Sequence, residues 1–298
     1  MLIRIVALLT LLFSLPVHGA DLVRIVRMKI SAGDLATGLA AVEDYRKASG
    51  IDAEYLEAVG WLARGAEMLH REDLADRLVA ELHRAVPRET PELLIPFGAA
   101  IEVEGRLIAA RDGRGAAVRF FESQLARAES PALRSRIGKN INLLSLEGRE
   151  APPLAAEDSI GGASSLESLR GRPVLLFFFA EWCGDCKAQA RSLAQVWERY
   201  RPRDLAMVAV TRLYGGSKEK PMTPAEERAQ VEKVWQESYP GLSGVPIVIS
   251  TAAMIRYGAS ATPTFALIDR KGNVRWYSPT RLSEEELSRR IEELLREK

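Results

Sequence analysis

The stretch from Pro173 to Lys187 reads PVLLFFFAEWCGDCK. Its apolar run, at positions 174–180, is typical of a strand that is buried on both faces. The residues that follow, Lys187 to Tyr200, carry apolar side chains at helical spacing. The chain has only two cysteines, Cys183 and Cys186, and both therefore lie where a buried strand turns into a helix.

This position favours thiol chemistry. The first turn of a helix has free N–H groups and the positive end of the helix dipole, which stabilise a thiolate. A spacing of three residues places Cys186 one turn inside the helix, within disulfide reach of Cys183. We expect Cys183, exposed at the turn, to be the attacking thiol and Cys186, buried one turn inside the helix, to be the resolving thiol.

Two other interpretations of the cysteine pair remain at this point. A structural zinc site needs about four Cys or His ligands, and the available histidines, His70 and His83, lie far away in a helical region. A structural disulfide across this tight loop is the second alternative.

Length and charge narrow the class of protein. A chain of 298 residues is long enough for about two domains. The net charge is +1, with acidic and basic residues interspersed, so that nothing indicates a nucleic-acid partner or an anionic surface. Hydrophobic residues make up 47% of the chain, which is ordinary for a globular protein.

Residues 1–20 resemble a secretory signal peptide. Arg4 precedes a mostly apolar run that is short for a bilayer span, Pro16 ends the run, and small residues at Gly19 and Ala20 offer a cleavage site. An uncleaved anchor is the alternative. We expect a periplasmic or otherwise exported mature protein, without a stable membrane span after cleavage, in an oxidising compartment.

The region 21–150 is predicted to be all helical. Apolar stripes at helical spacing predict about six helices between residues 31 and 148, and Pro96 is predicted to divide one segment. Short connections predict antiparallel helical hairpins. Asp34-Leu35-Ala36 recurs as Asp73-Leu74-Ala75, and more faintly as Gly115-Ala116-Ala117, at a period near 40 residues. This period indicates a tetratricopeptide-like array with a partner-binding face, or else a packed helical domain without one.

The region 151–298 has a different pattern. Pro152-Pro153 and Gly161-Gly162 indicate a linker. After the cysteines come an apolar strand at 205–210, a helix at 225–239 and a short strand at 246–250. Lys271-Gly272-Asn273 then predicts a hairpin between strands at 264–269 and 274–277, ahead of a last helix at 284–296.

These features together resemble the thioredoxin fold. The sequence Ala180-Glu-Trp-Cys-Gly-Asp-Cys-Lys187 is similar to its active site, and Tyr257-Gly-Ala-Ser-Ala-Thr-Pro-Thr264 is similar to the segment that carries its cis-proline. The extra residues between them, together with the signal peptide, are similar to the exported TlpA/ResA-like branch. The resemblance covers residues 151–298 and implies an α/β thioredoxin-like domain there. With the helices predicted from the apolar stripes, the expected fold is an all-α helical-hairpin domain followed by this α/β thioredoxin-like domain.

The resemblance also implies roles for particular residues. Pro263 would lie against the cysteine pair, and Thr262 would present its backbone to an incoming peptide, with Trp182 beside it as a second substrate contact. Apart from the resemblance, the charges of Asp185 and Lys187 predict that these residues tune the redox properties of the pair: Asp185 should oppose thiolate formation at Cys183, and Lys187 should favour it.

Two positions depart from the family pattern. The buried Asp of thioredoxins is replaced by Phe177, and the Glu found in many ResA-like proteins is replaced by Gln189. The acid that would take the proton of the resolving thiol is therefore at neither expected position.

The sequence predicts an exported thiol:disulfide oxidoreductase that exchanges a Cys183–Cys186 disulfide with substrate proteins. The redox-active pair needs no separate cofactor and no metal. The resemblance implies reduction as the direction, with electrons from a membrane thiol reductase. A Cu(I)-handling protein and a helical interaction scaffold with a secondary redox site are the alternatives.

Overall fold

The computed structural model describes residues 20–162, 165–217 and 220–296. The predicted signal peptide at 1–20 lies outside the described residues except for Ala20, whose backbone begins the first helix. The chain divides into two compact units, one up to Val103 and one from Glu104 onward. Each unit is described by itself.

The N-terminal unit is all helical, as the apolar stripes predict. Its helices are α1 (Ala20–Ser31), α2 (Leu35–Ser49), α3 (Ala53–Met68), α4 (Glu72–Ala85) and the first part of α5 (Leu94–Asp112). Helix α3 packs against α1, α2 and α4. The carboxylate of Asp52 accepts the N–H of Tyr55 and caps α3, as its position in the sequence predicts.

The prediction that Pro96 divides a helix is wrong. Helix α5 runs from Leu94 to Asp112 and contains Pro96 in its first turn. The N–H groups of a first turn have no partner within the helix, so the N–H that proline lacks costs no hydrogen bond there.

The C-terminal unit begins ahead of the predicted boundary at residue 150. It includes the rest of α5, then α6 (Arg114–Arg127) and α7 (Pro131–Ser145). Helix α7 packs on a later helix of the same unit, α11 (Thr251–Arg256). The amide of Asn142 donates to the carbonyl of Arg256, and Gly138 leaves no room for a side chain, because a Cβ there would lie 2.9 Å from the carbonyl oxygen of Ile255.

A six-stranded mixed sheet forms the centre of this unit. Its strands are β1 (Asp158–Ile160), β2 (Val174–Phe178), β3 (Ala206–Thr211), β4 (Ile247–Ile249), β5 (Thr264–Ile268) and β6 (Val274–Ser278), in the order β1-β4-β3-β2-β5-β6. Strands β2, β3 and β4 are parallel, whereas β1, β5 and β6 join them in antiparallel pairs.

Strand β2 is buried on both faces, as predicted. Alternate side chains enter two different apolar clusters, with Leu175 and Phe177 on one face of the sheet and Leu176 and Phe178 on the other. The strand therefore ends inside the protein, and the turn that follows it starts from a fixed position.

Four more helices complete the unit: α8 (Gly184–Ala188), α9 (Ala190–Tyr200), α10 (Pro224–Ser238) and α12 (Glu284–Arg296). The last three match predicted helices. Strand β1 and helix α11 were not predicted, because elements of three and six residues are too short to show periodicity.

Candidate functional site

The two cysteines lie at the turn between β2 and α8. The N–H of Cys183 donates to the carbonyl of Ala180 at 3.1 Å, which closes a turn directly after the strand. Cys183 is the N-cap residue of α8, and its Sγ accepts the N–H of Cys186 at 3.2 Å. The backbone of the helix start is thus directed at the first sulfur, as the sequence predicts.

Both thiols are free. Cys183 is 6% exposed and Cys186 is fully buried. The burial of Cys186 is the expected one, whereas the expectation of an exposed Cys183 is wrong. Burial raises the pKa of the Cys186 thiol, and the neighbouring Cys183 adds to this effect.

The Thr262–Pro263 segment lies against the pair. Its peptide bond is cis, and the thiol of Cys183 donates to the carbonyl of Thr262 at 3.3 Å. These two residues are 79 positions apart in sequence. The structure therefore brings together the cysteines and the proline segment that the sequence predicted to meet.

The exposed side of the site is aromatic. Trp182 is 63% exposed, and its ring lies edge-on to that of Tyr214, with 5.5 Å between the centroids. The guanidinium of Arg212 lies 4.3 Å from the centroid of the Tyr214 ring. A wide, apolar and partly cationic surface thus stands beside Cys183, and sequence reasoning found only Trp182 of these three residues.

The predicted tuning residues are both exposed. Asp185 pairs with Arg281 at 3.3 Å on the surface, and Lys187 is exposed on α8. Exposed ion pairs contribute little to stability, and the arginine partially offsets the charge that Asp185 presents to the cysteines. The tuning role of Asp185 and Lys187 remains a prediction.

Phe177 has a packing role. Its ring stacks on Phe179 and Phe265, at 5.6 and 5.5 Å between centroids, and lies 5.9 Å from the ring of Tyr239. Where thioredoxins have a buried acid, this chain therefore has the centre of an aromatic cluster.

The side chain of Gln189 makes two hydrogen bonds to the backbone of Leu282, just before α12. It is 2% exposed, its Nε2 donates to the carbonyl of Leu282 at 2.8 Å, and its Oε1 accepts the N–H of Leu282 at 3.0 Å. A carboxylate accepts hydrogen bonds but does not donate them, so an ionised glutamate could not make both contacts, whereas the amide of Gln189 can.

Two buried glutamates near the site were missed by the sequence reasoning. Glu227 on α10 is fully buried and accepts the N–H groups of Tyr214 and Gly215 at 2.6 and 2.7 Å, which fixes the loop that carries Tyr214. Glu181, between the strand and Trp182, is 5% exposed. The sequence signal for Glu181 was its place inside the motif, but its burial could not be read from a local pattern.

Within the described residues, no group of three or more His, Cys, Asp or Glu side chains is arranged to hold a metal ion. Across the same residues, no helix combines the length and the apolar character needed to cross a membrane.

Comparison with known proteins places this geometry in context. Residues 148–277 match the model of the AhpC/TSA family. The thioredoxin-like protein YneN of Bacillus subtilis is 25% identical over 49% of this chain and 79% of its own length. The thiol-disulfide oxidoreductase ResA of the same organism is 28% identical over 43% of this chain. The match covers 64% of that ResA protein, less than two thirds of its length.

A solved structure from Chlorobium tepidum, described as a thiol:disulfide interchange protein DsbE, has a TM-score of 0.41 at 23% identity. The match covers 50% of this chain and 97% of the chain from Chlorobium tepidum. The fold of the C-terminal domain is thioredoxin-like, and the proteins to which its sequence is similar include ones named thiol-disulfide oxidoreductases.

Proposed function

We propose that this protein is an exported thiol:disulfide oxidoreductase that acts as a reductase of substrate proteins through Cys183 and Cys186. One observation carries the proposal: Cys183 Sγ accepts the N–H of Cys186 at the start of α8 and lies 3.3 Å from the carbonyl of Thr262. A backbone N–H thus points at the first sulfur, the carbonyl that accepts its thiol proton lies on the Thr262 segment, and a second thiol is held one turn away.

The reaction follows from this arrangement. The Cys183 thiolate attacks one sulfur of a substrate disulfide, forms a mixed disulfide and releases the other substrate sulfur as a thiolate. Cys186 then attacks Cys183, so that the pair becomes a disulfide and the second substrate thiol leaves. The substrate gains two electrons and two protons, and the pair loses them.

The surface beside Cys183 fits a polypeptide substrate. The exposed ring of Trp182, packed edge-on against the partly buried ring of Tyr214, offers an aromatic contact, and the backbone at Thr262 lies next to the reacting sulfur. An extended peptide whose cysteine reaches Cys183 would therefore contact both sides of the site.

The resemblance to the ResA-like branch carries the direction. A dithiol is a strong oxidant when its reduced form is stabilised by ionisation, and burial keeps the Cys186 thiol from adding such stabilisation. We expect equilibration with glutathione to give a reduction potential well below that of the glutathione pair. A potential above it would make the protein an oxidase or isomerase. A membrane thiol reductase is the proposed source of electrons.

The pattern at residues 1–20 supports export. Mass spectrometry of the protein recovered from outside the cytoplasm is expected to show the loss of about 19 or 20 residues, with a mature N-terminus near Asp21. Recovery of the full-length chain in the cytosol would contradict this part of the proposal.

The test of the reaction is a pair of serine variants. Cys186→Ser leaves the attack intact and removes the escape route, so this variant is expected to accumulate a mixed disulfide that dithiothreitol releases. Cys183→Ser is the matched control and is expected to accumulate little or none. Non-reducing gels after acid quenching measure both. Equal trapping by the two variants would overturn the assigned order, and trapping by neither would overturn the proposed function.

A further inference from the structure

The aromatic surface beside Cys183 ends in a positive charge. Arg212 is the first residue after β3, and its guanidinium lies 4.3 Å from the centroid of the Tyr214 ring. Among the described residues, this guanidinium makes no ion pair with a carboxylate. Another arginine of the same unit, Arg228 on α10, does have such a partner and pairs with Asp158 at 2.6 Å. The charge of Arg212 is therefore available to an acidic group of another molecule.

The loop after β3 holds this charge in a fixed place. The carboxylate of Glu227 is fully buried and accepts the N–H groups of Tyr214 and Gly215 at 2.6 and 2.7 Å. The ring of Tyr214 is thus anchored through its own backbone, and the guanidinium of Arg212 is attracted to that ring. A side chain that is already positioned loses less conformational entropy when it binds a partner.

A row of three side chains connects Cys183 to the guanidinium. Trp182 precedes Cys183 in the chain, is 63% exposed, and has its ring 5.5 Å from that of Tyr214. Tyr214 in turn contacts Arg212 at 4.3 Å. An extended peptide advances roughly 3.3 Å per residue, so these two contacts span about three residues. A substrate that places its cysteine on Cys183 and runs over Trp182 therefore brings a residue about three positions away to Arg212.

The chemistry of this surface favours an acidic residue at that position. A guanidinium is a planar fork of N–H donors that matches a carboxylate, and hydrogen bonds between charged groups are stronger than neutral ones. A lysine of the substrate would instead be repelled. A second arginine near the cysteines, Arg281, already pairs with Asp185 at 3.3 Å, so its charge is partly offset.

We propose that Arg212 selects substrate proteins that carry an aspartate or glutamate about three residues from the reacting cysteine. The inference rests on the proposed function, because the selection acts on the step in which Cys183 attacks the substrate disulfide. The substrate carboxylate binds the guanidinium of Arg212, the intervening residues lie on the ring of Trp182, and the substrate sulfur is thereby held at Cys183. The bonds that form and break in the exchange are unchanged.

The experiment measures the attack by itself, in full-length protein that carries Cys186→Ser, so that the mixed disulfide accumulates. Its substrates are symmetric disulfides of short peptides with a single cysteine, in which attack on either sulfur gives the same product. The peptides differ only at the third residue before or after the cysteine, where they carry Asp, Asn or Lys. Acid quenching at increasing times, followed by mass spectrometry of the intact protein, gives the second-order rate constant.

We expect the Asp peptide to react about three- to tenfold faster than the Asn peptide in one of the two placements, and the Lys peptide to react more slowly than both. Arg212→Gln should bring the ratio of the Asp and Asn rates close to one. Arg212→Lys keeps the charge without the planar fork and should retain part of the preference. Arg212→Glu should reverse it, so that the Lys peptide becomes the fastest. Lost packing against Tyr214 cannot produce such a reversal.

Arg149→Gln is the matched control. Arg149 is exposed, and its carbonyl accepts the N–H of Val274 at the start of β6. That end of the sheet is the one away from the cysteines, because Val274 pairs with Ile268 and Ile268 pairs with Val174, the first residue of β2. The control makes the same change in net charge and should leave the ratio of the Asp and Asn rates unchanged.

Two failures can be told apart. If no peptide forms a mixed disulfide, the proposed function fails, and this inference fails with it. If mixed disulfides form but the Asp and Asn peptides react equally in both placements, or if Arg212→Gln keeps the preference, only the role of Arg212 is overturned. A preference that Arg149→Gln also removes would be an effect of net charge and would reject the assignment too. Should Arg212→Gln not fold, Arg212→Glu decides, because an unreversed preference would equally reject it.

Discussion

Gln189 offers a sharp test of how this chain departs from its relatives. Its side chain makes two hydrogen bonds to the backbone of Leu282, as a donor at 2.8 Å and as an acceptor at 3.0 Å, and it is 2% exposed. Gln189→Glu restores the residue that many ResA-like proteins have. The shape is kept, but the donated hydrogen bond becomes a contact between two acceptor oxygens.

The expected loss of stability in Gln189→Glu follows from these two hydrogen bonds. Loss of one neutral hydrogen bond costs about 1 kcal/mol, and leaving the buried carbonyl of Leu282 unpaired against a carboxylate adds about 1–3 kcal/mol. We expect Gln189→Glu to lower the free energy of unfolding by about 2–4 kcal/mol at pH 8. For a unit of this size, the midpoint temperature should fall by roughly 4–16 °C.

The loss of stability in Gln189→Glu should grow as the pH rises. Burial raises the folded-state pKa of the introduced carboxyl group above its unfolded value. The protonated carboxyl can donate to Leu282, so its stabilisation is present below the unfolded pKa and is lost as the pH rises through the folded pKa. The difference in the free energy of unfolding between Gln189→Glu and the wild type should therefore be smallest near pH 4 and reach its full size by pH 8.

Urea unfolding of both proteins across this pH range measures the effect. Gln189→Met is the matched control, because it removes both hydrogen bonds at every pH. It should lower the free energy of unfolding by an amount that does not change with pH. A Gln189→Glu variant as stable as the wild type at pH 8 would refute the bracing role. A deficit that does not change with pH would refute the electrostatic argument.

Two further predictions concern packing in the C-terminal unit. Phe177→Ala removes a fully buried ring that contacts Phe179 and Phe265. Urea unfolding should show a free energy of unfolding lower by about 3–5 kcal/mol, and a loss under about 1 kcal/mol would contradict the place of Phe177 at the centre of the aromatic cluster. Gly258→Ala should cost more than about 2 kcal/mol, because Gly258 has φ +60° and a Cβ there would overlap the backbone of Lys139 on α7. Its control is Gly184→Ala, where a Cβ meets nothing within 4 Å and stability should be nearly unchanged.

The sequence by itself determined the local elements of the thioredoxin-like domain. A continuous apolar run identified β2, and helical spacing placed α9, α10 and α12. Lys271-Gly272-Asn273 identified the hairpin of β5 and β6. These predictions succeeded because periodicity, caps and turn residues act within a few positions of the chain. The position of the cysteines at a strand-to-helix turn followed from the same signals.

Only the tertiary structure decided which distant groups meet and which polar side chains are buried. Thr262 reaches Cys183 across 79 positions, and Gln189 pairs with Leu282 across 93. Glu181 looked like an ordinary acid in the sequence, yet the fold buries it, and among the described residues its Oε2 has no hydrogen-bond partner. The physical reason is that burial and long-range pairing depend on how elements pack. A local pattern gives the direction of a side chain on its own element, and the neighbouring elements determine what that side chain meets.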